Sequence, residues 1–225
     1  MDFSKVSELT IKGKTVRSLS KDGKEFWGRH HLPSIYQEAE YLEGTGTQAI
    51  DTDLTFPDVD AFKIMASFNS VSDNQYVAGT RDNATKAVGF GVYFSAHGGL
   101  TYYPLLWRSE TVGQPLSIGE KFSIHTKLSA SGGFFKVNDT ARDSYNAASI
   151  HADKTVYLFA LHGSSLEYPM KGRIYRAYAF LADTLVRSFI PCYRKADGEP
   201  GLYDTVTGRF FTNAGTGSFN VGPDV

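Results

Sequence analysis

Cysteine is almost absent from this chain, with one residue, Cys192, in 225. An intramolecular disulfide is therefore excluded, and the apolar run Phe189-Ile190-Pro191 before Cys192 reads as the setting of a buried, inert thiol. No stretch approaches the roughly 20 apolar residues that a membrane helix needs, so no membrane insertion is expected. Positive charge is not in surplus: 23 Lys and Arg stand against 24 Asp and Glu, a formal net charge of −1. Nucleic acid is thereby excluded as the main partner, because phosphate binding runs on a surplus of basic residues. Met1-Asp2-Phe3-Ser4-Lys5 lacks the charged-then-apolar pattern of a secretory signal, so the chain is expected to be made and folded in a cytoplasm. Helical periodicity is scarce as well. Only residues 144 to 152 offer one helical turn or a loop, and no repeat of fixed period is present.

What the chain does have is aromatic residues and turn formers. Aromatics make up 14%, with 13 Tyr and 16 Phe, beside 22 Gly. That mixture favours strands and turns. Phe62, Ile64, Ala66 and Phe68 alternate with Lys63, Met65, Ser67 and Asn69. Phe122, Ile124, Thr126 and Leu128 alternate with Ser123, His125 and Lys127. Such period-two patterns mark half-buried strands. Val156 to Leu161 is apolar on both faces and reads as a central strand. Ile174 to Leu181 and Leu185 to Tyr193 flank Asp183-Thr184 as a hairpin. Many strands and no βαβ alternation imply an antiparallel sandwich or barrel.

Residues 1–33 read as a small separate unit. Its strand-like pieces are Leu9-Thr10-Ile11, Thr15 to Ser20 and Glu25-Phe26-Trp27, with turns at Gly13 and Asp22-Gly23 and a linker at His30-His31-Leu32-Pro33. So few strands bury little apolar area alone, so Phe26 and Trp27 are expected to dock on another surface. Residues 34–225 form the main domain.

Chemistry-bearing patterns are few. Glycoside hydrolysis needs two carboxylates about 5 to 9.5 Å apart, which a Glu-x-Asp-x-Glu spacing would set on one strand face. Here Glu38, Glu40 and Glu43 come nearest, with no Asp between them. Ser164-Ser165 follow His162-Gly163 without a nucleophile elbow, so no catalytic residue is assigned. Asp51, Asp53, Asp58 and Asp60 would suit calcium, but they serve equally as turn formers around Pro57, and that reading is preferred over a cofactor. Arg187 and Arg194-Lys195 read as solvated charges.

Sugar binding has better material. Gly98-Gly99-Leu100-Thr101-Tyr102-Tyr103-Pro104-Leu105-Leu106-Trp107-Arg108 sets Tyr102, Tyr103, Trp107 and Arg108 beside turn glycines, while Arg81-Asp82-Asn83 on a turn supplies polar groups. Aromatic faces stack on pyranose rings, and Arg, Asp and Asn fix hydroxyls. Taken singly, Trp107 and Tyr103 read as core residues. Their clustering is what argues for a site.

Three blocks, in order, carry a resemblance. They are Glu40-Tyr41-Leu42-Glu43-Gly44-Thr45-Gly46-Thr47-Gln48-Ala49-Ile50-Asp51-Thr52, then Val156-Tyr157-Leu158-Phe159-Ala160 with Gly172-Arg173-Ile174-Tyr175, and a closing segment. The last runs from Phe189 to Lys195 and through Gly201-Leu202-Tyr203-Asp204 and Thr207-Gly208-Arg209-Phe210-Phe211 to Phe219. Together they resemble the concanavalin A-like, laminin-G-like jelly-roll domains found in bacteriophage minor structural and tail-associated proteins and in surface proteins of gut bacteria. Ala49 stands where an aromatic is usual, and Asp53 where a glycine is usual.

The resemblance implies two packed antiparallel sheets without catalytic apparatus, in relatives that bind carbohydrate or protein. It leads to the expectation of a non-enzymatic virion protein, assembled in the host cytoplasm. Its jelly roll would contact a host-surface glycan, and residues 1–33 would join it to other tail, capsid or sister subunits, with homo-oligomerisation open. A capsid decoration protein without glycan binding, or a bacterial adhesin module, is the alternative. Tyr203, Phe210, Phe211 and Phe219 are expected to pack the closing segment.

Overall fold

A computed structural model of the chain describes residues 32–56, 58–70, 75–81, 117–127, 133–141 and 153–225 in full, and the backbone of the strands within 9–28, 87–103 and 142–145. Two compact units divide the chain, Met1–Pro33 and Ser34–Val225. The first holds β1 (Leu9–Ile11), β2 (Lys14–Val16), β3 (Ser18–Lys21) and β4 (Lys24–Gly28). β1 pairs with β2, and β3 with β4, both antiparallel. The expected single piece from Thr15 to Ser20 is thus shared between two separate ribbons. Trp27 is in register with Leu19, and the ladder slips at Phe26, where β4 advances two residues against one on β3.

The second unit begins with β5 (Tyr36–Glu38), β6 (Leu42–Thr45), β7 (Ile50–Asp51), β8 (Ala61–Phe68), β9 (Ala78–Arg81), β10 (Ala87–Ser95) and β11 (Gly99–Tyr103). Next come β12 (Phe122–Lys127), β13 (Gly133–Val137), β14 (Thr140–Tyr145), β15 (Tyr157–Leu158), β16 (Leu161–His162) and β17 (Leu166–Glu167). β18 (Lys171–Leu181), β19 (Thr184–Arg194), β20 (Pro200–Asp204), β21 (Arg209–Phe211) and β22 (Asn220–Val221) complete it. Two sheets result. An eleven-stranded sheet runs β14-β13-β12-β8-β18-β19-β20-β21, with β6 beside β18 and β22, and β5 beside β19. A seven-stranded sheet runs β11-β10-β9-β15-β7, with β16 between β9 and β17. Every pairing is antiparallel except β9 with β16.

The core lies between the two sheets. Phe62, Ile64, Ala66 and Phe68 on β8 are 0 to 2% exposed. They join Phe122 and Ile124 of β12, Ile174 and Ala177 of β18, and Ile50, Ala78 and Leu158 of the smaller sheet in one cluster. The alternation in β8 and β12 thus becomes the inner face of a jelly-roll sandwich.

Val156 to Leu161 departs from expectation. It is two short strands, β15 and β16, broken at Phe159, whose φ of 66° lies in the left-handed region. The turn drives Phe159 inward against Phe219, with ring centroids 4.8 Å apart. Leu158, Ala160 and Leu161 are buried as well, which is why the run is apolar throughout. Of residues 144–152, Ser144 and Tyr145 belong to β14, and the rest lie outside the described residues.

The chain's closing segment seals the sandwich. β22 pairs with β6, and the amides of Ala214 and Thr216 donate to the carbonyls of Ala49 and Thr47. Tyr203, Phe211 and Phe219 are buried, and Phe210 packs on Tyr36 at 4.8 Å. Asp204, fully buried, accepts from the amides of Ser188, Val206 and Thr207 and shapes the turn into β21. Arg187 is not solvated: its side chain is largely buried, with Nε 3.6 Å from Asp204 Oδ2. Asp53, at a position where glycine is usual, has a φ of 54°, which glycine favours and aspartate tolerates, and its carboxylate pairs with Arg209 at 2.6 Å.

Candidate functional site

Cross-strand partners share a sheet face. In the seven-stranded sheet Ile50, Leu158, Ala78 and Phe90 form one row, and the first three belong to the core. The neighbouring row, Asp51–Tyr157–Gly79–Gly89, therefore lies on the outer face. Along β10 the same parity continues through Gly91 and Tyr93, which are in register with Tyr103 and Thr101 of β11. Arg81 joins this face opposite Ala87. Glycines stand at Gly79, Gly89 and Gly91 in this row, and buried Gly79 is in register with Leu161 of β16 as well as with Tyr157.

Aromatic and polar groups stand beside these glycines. The ring of His162 stacks on Tyr157, with centroids 3.8 Å apart and planes 16° from parallel. His162 Nδ1 lies 2.9 Å from the Thr155 carbonyl, which only accepts, so Nδ1 carries a proton. Burial first, and then the charge of Asp51, pushes the Tyr157 hydroxyl above its ordinary pKa. Arg81 Nη1 stands 3.4 Å from Glu167 Oε2. The other Glu167 oxygen accepts from the Ser164 amide, and Lys154 Nζ donates to the Gly163 carbonyl. A side chain at Gly163 would collide with the Glu167 carboxylate, so glycine there lets the ion pair form.

Topology gathers these groups at one end of the sheet. β9 ends at Arg81, in register with Ala87 at the start of β10, while Tyr103 is in register with Gly91, beyond the other end of β9. β16 runs parallel to β9, and β7 runs antiparallel to β15, so His162 and Asp51 end toward the Arg81 side. Of the residues expected from sequence, Arg81 and Tyr103 thus share one face, but their partners Ala87 and Gly91 lie about 13 Å apart along β10, on either side of Gly89. Tyr102, in register with Val92, takes the opposite face. Asp82, Asn83, Trp107 and Arg108 lie outside the described residues, as do His30 and His31. Sequence reasoning missed Tyr157, His162 and Glu167 and weighed Asp51 for calcium alone. Glycines inside strands were the available signal.

The outer face of the larger sheet is built differently. Glu38, Glu40 and Glu43, the carboxylates weighed for hydrolysis, are each held by a separate cation: Arg176, Lys121 and Arg173. Arg173 also lies 4.3 Å over the Tyr41 ring, and its contact with Glu43 holds that carboxyl below its ordinary range against the effect of burial. The four aspartates weighed for calcium go separate ways. Asp51 accepts from the Asp53 amide, Asp53 pairs with Arg209, Asp58 takes the Thr55 hydroxyl, and Asp60 takes the Ala182 amide. Among the described residues no group of three or more His, Cys, Asp or Glu could hold a metal ion. Nor is any helix among them long and apolar enough to cross a membrane.

No protein-family model matches the chain, and no curated protein sequence does. Solved structures do match. A suspected carbohydrate-binding protein from Bacteroides ovatus aligns with a TM-score of 0.53 at 12% identity, over 84% of this chain and 62% of that one. The CBM40 module of the Ruminococcus gnavus IT-sialidase aligns at 0.47 with 15% identity, over 64% of this chain and 91% of that one. The same module bound to α2,3-sialyllactose gives 0.47 with 14% identity over the same shares. The likeness to the Bacteroides ovatus protein is one of fold, and the fold is an all-β jelly-roll sandwich.

Proposed function

We propose that this chain is a non-enzymatic, lectin-like protein of a phage particle, and that the outer face of its seven-stranded sheet holds a host-surface carbohydrate. One observation carries the binding reading: the row Asp51–Tyr157–Gly79–Gly89, with His162 stacked on Tyr157 and Tyr103 in register with Gly91. Glycines at Gly89 and Gly91 of β10 put no side chain between a sugar ring and the backbone there. Aromatic rings beside them offer apolar faces, and Asp51, Arg81 and Glu167 offer polar partners for hydroxyls. The Bacteroides ovatus neighbour, suspected of carbohydrate binding, supports this reading. The phage assignment rests on the resemblance of the opening and closing segments to virion-associated jelly rolls. In it, residues 1–33 attach the domain to tail or capsid proteins or to sister subunits, with Phe26 and Trp27 on β4 as the docking residues.

A glycan array with the full chain tests the binding role. At least one host glycan is retained, and Tyr157→Ala and Tyr103→Ala each weaken it about tenfold or more, with Trp107→Ala as a third variant. Binding untouched by the two tyrosine changes would move the site elsewhere. Binding to no host glycan would leave an architectural decoration protein. Immunogold labelling of intact particles tests the location, and label absent from tail and capsid would refute the virion role.

A further inference from the structure

Resting on that reading of the face, we propose that its ligand is an uncharged glycan recognised through hydroxyl groups, and that sugars bearing a carboxylate are excluded. Each cation described at this end of the sheet is already committed within the protein. Arg81 faces Glu167 at 3.4 Å, with side-chain exposures of only 26% and 19%. Lys154 donates to the Gly163 carbonyl, and Arg209 pairs with Asp53 at 2.6 Å. An acidic sugar that drew Arg81 away would strand the Glu167 carboxylate in a largely buried position, which is strongly unfavourable. Asp51 meanwhile stands beside Tyr157 in the outer row, and its negative charge reaches the aromatic platform. What the described residues present to a ligand is thus the carboxylate oxygens of Asp51 and Glu167. Those groups accept hydrogen bonds from sugar hydroxyls and repel a second carboxylate.

The test uses the full chain and immobilised oligosaccharides with hexose and N-acetylhexosamine cores, each compared with the same core capped by sialic acid or glucuronic acid. The unaltered protein binds an uncapped core at least about tenfold more tightly than its capped form. Glu167→Gln, which releases Arg81, and Asp51→Asn, which removes the charge beside Tyr157, each bring that ratio toward one. Thermal unfolding confirms that each variant folds, and if one fails the other carries the comparison. Preference for capped glycans that Tyr157→Ala abolishes would overturn the uncharged ligand and leave the binding face standing. Binding indifferent to Tyr157→Ala, or absent for both sets, would overturn the face and this inference with it.

Discussion

His125 lies on the larger sheet, with its ring edge-on to Phe134 at 4.8 Å. Burial, and then Lys63 and Lys136, depress its pKa below the ordinary 6.5, while Asp139 and Asp183 partly oppose them. The folded state therefore prefers the neutral ring, and the unfolded chain takes up the proton first. Stability from this residue is complete above pH 6.5 and falls as pH drops toward the folded pKa. Thermal melts between neutral and mildly acidic pH should show this loss, and His125→Gln should flatten that part of the profile. An unchanged profile would mean that the ring is not desolvated as described. At the same scale, Cys192 is fully buried and its thiol is pushed up to about 12. That setting accounts for a lone cysteine without invoking reactivity.

Among elements, the turn from β20 to β21 depends on one carboxylate. Asp204 accepts three amides and the Thr207 hydroxyl, and it faces Arg187. Asp204→Ala leaves these donors and a largely buried guanidinium uncompensated, so denaturant unfolding should register a loss of about 3 kcal/mol, with Asp204→Asn milder. A loss below about 1 kcal/mol would show that the turn holds itself. Strand-level order was legible wherever one face is buried and the other wet, as in Phe122-Ser123-Ile124-His125. It was hidden in Val156 to Leu161, where both faces are apolar and the left-handed turn at Phe159 leaves no mark in periodicity. The best site residues, Tyr157 and His162, stand at that break. Tyr102 and Tyr103, adjacent in sequence, looked like one platform, but strand alternation sends them to opposite faces.

For the molecule as a whole, closure joins segments far apart in sequence. Gly215 lies against the Thr47 carbonyl and the Leu166 side chain, where a Cβ would collide with both. Gly215→Ala should therefore pry the closing segment from residues 47–49 and cost about 1 to 3 kcal/mol, read as a lower unfolding midpoint. The three blocks that marked the jelly roll in sequence are these closing partners, so the fold could be read before the site. The site draws one or two residues each from β7, β9, β10, β15, β16 and β17, and only the sheet brings them together. The central claim is that the outer face of the seven-stranded sheet binds glycan. Its most direct test is backbone amide chemical-shift mapping of the full chain during titration with a bound oligosaccharide. The largest shifts should fall on Asp51, Gly79, Gly89, Tyr157 and His162. Shifts centred instead on Glu43, Arg173 and Arg176, across the larger sheet, would contradict that claim.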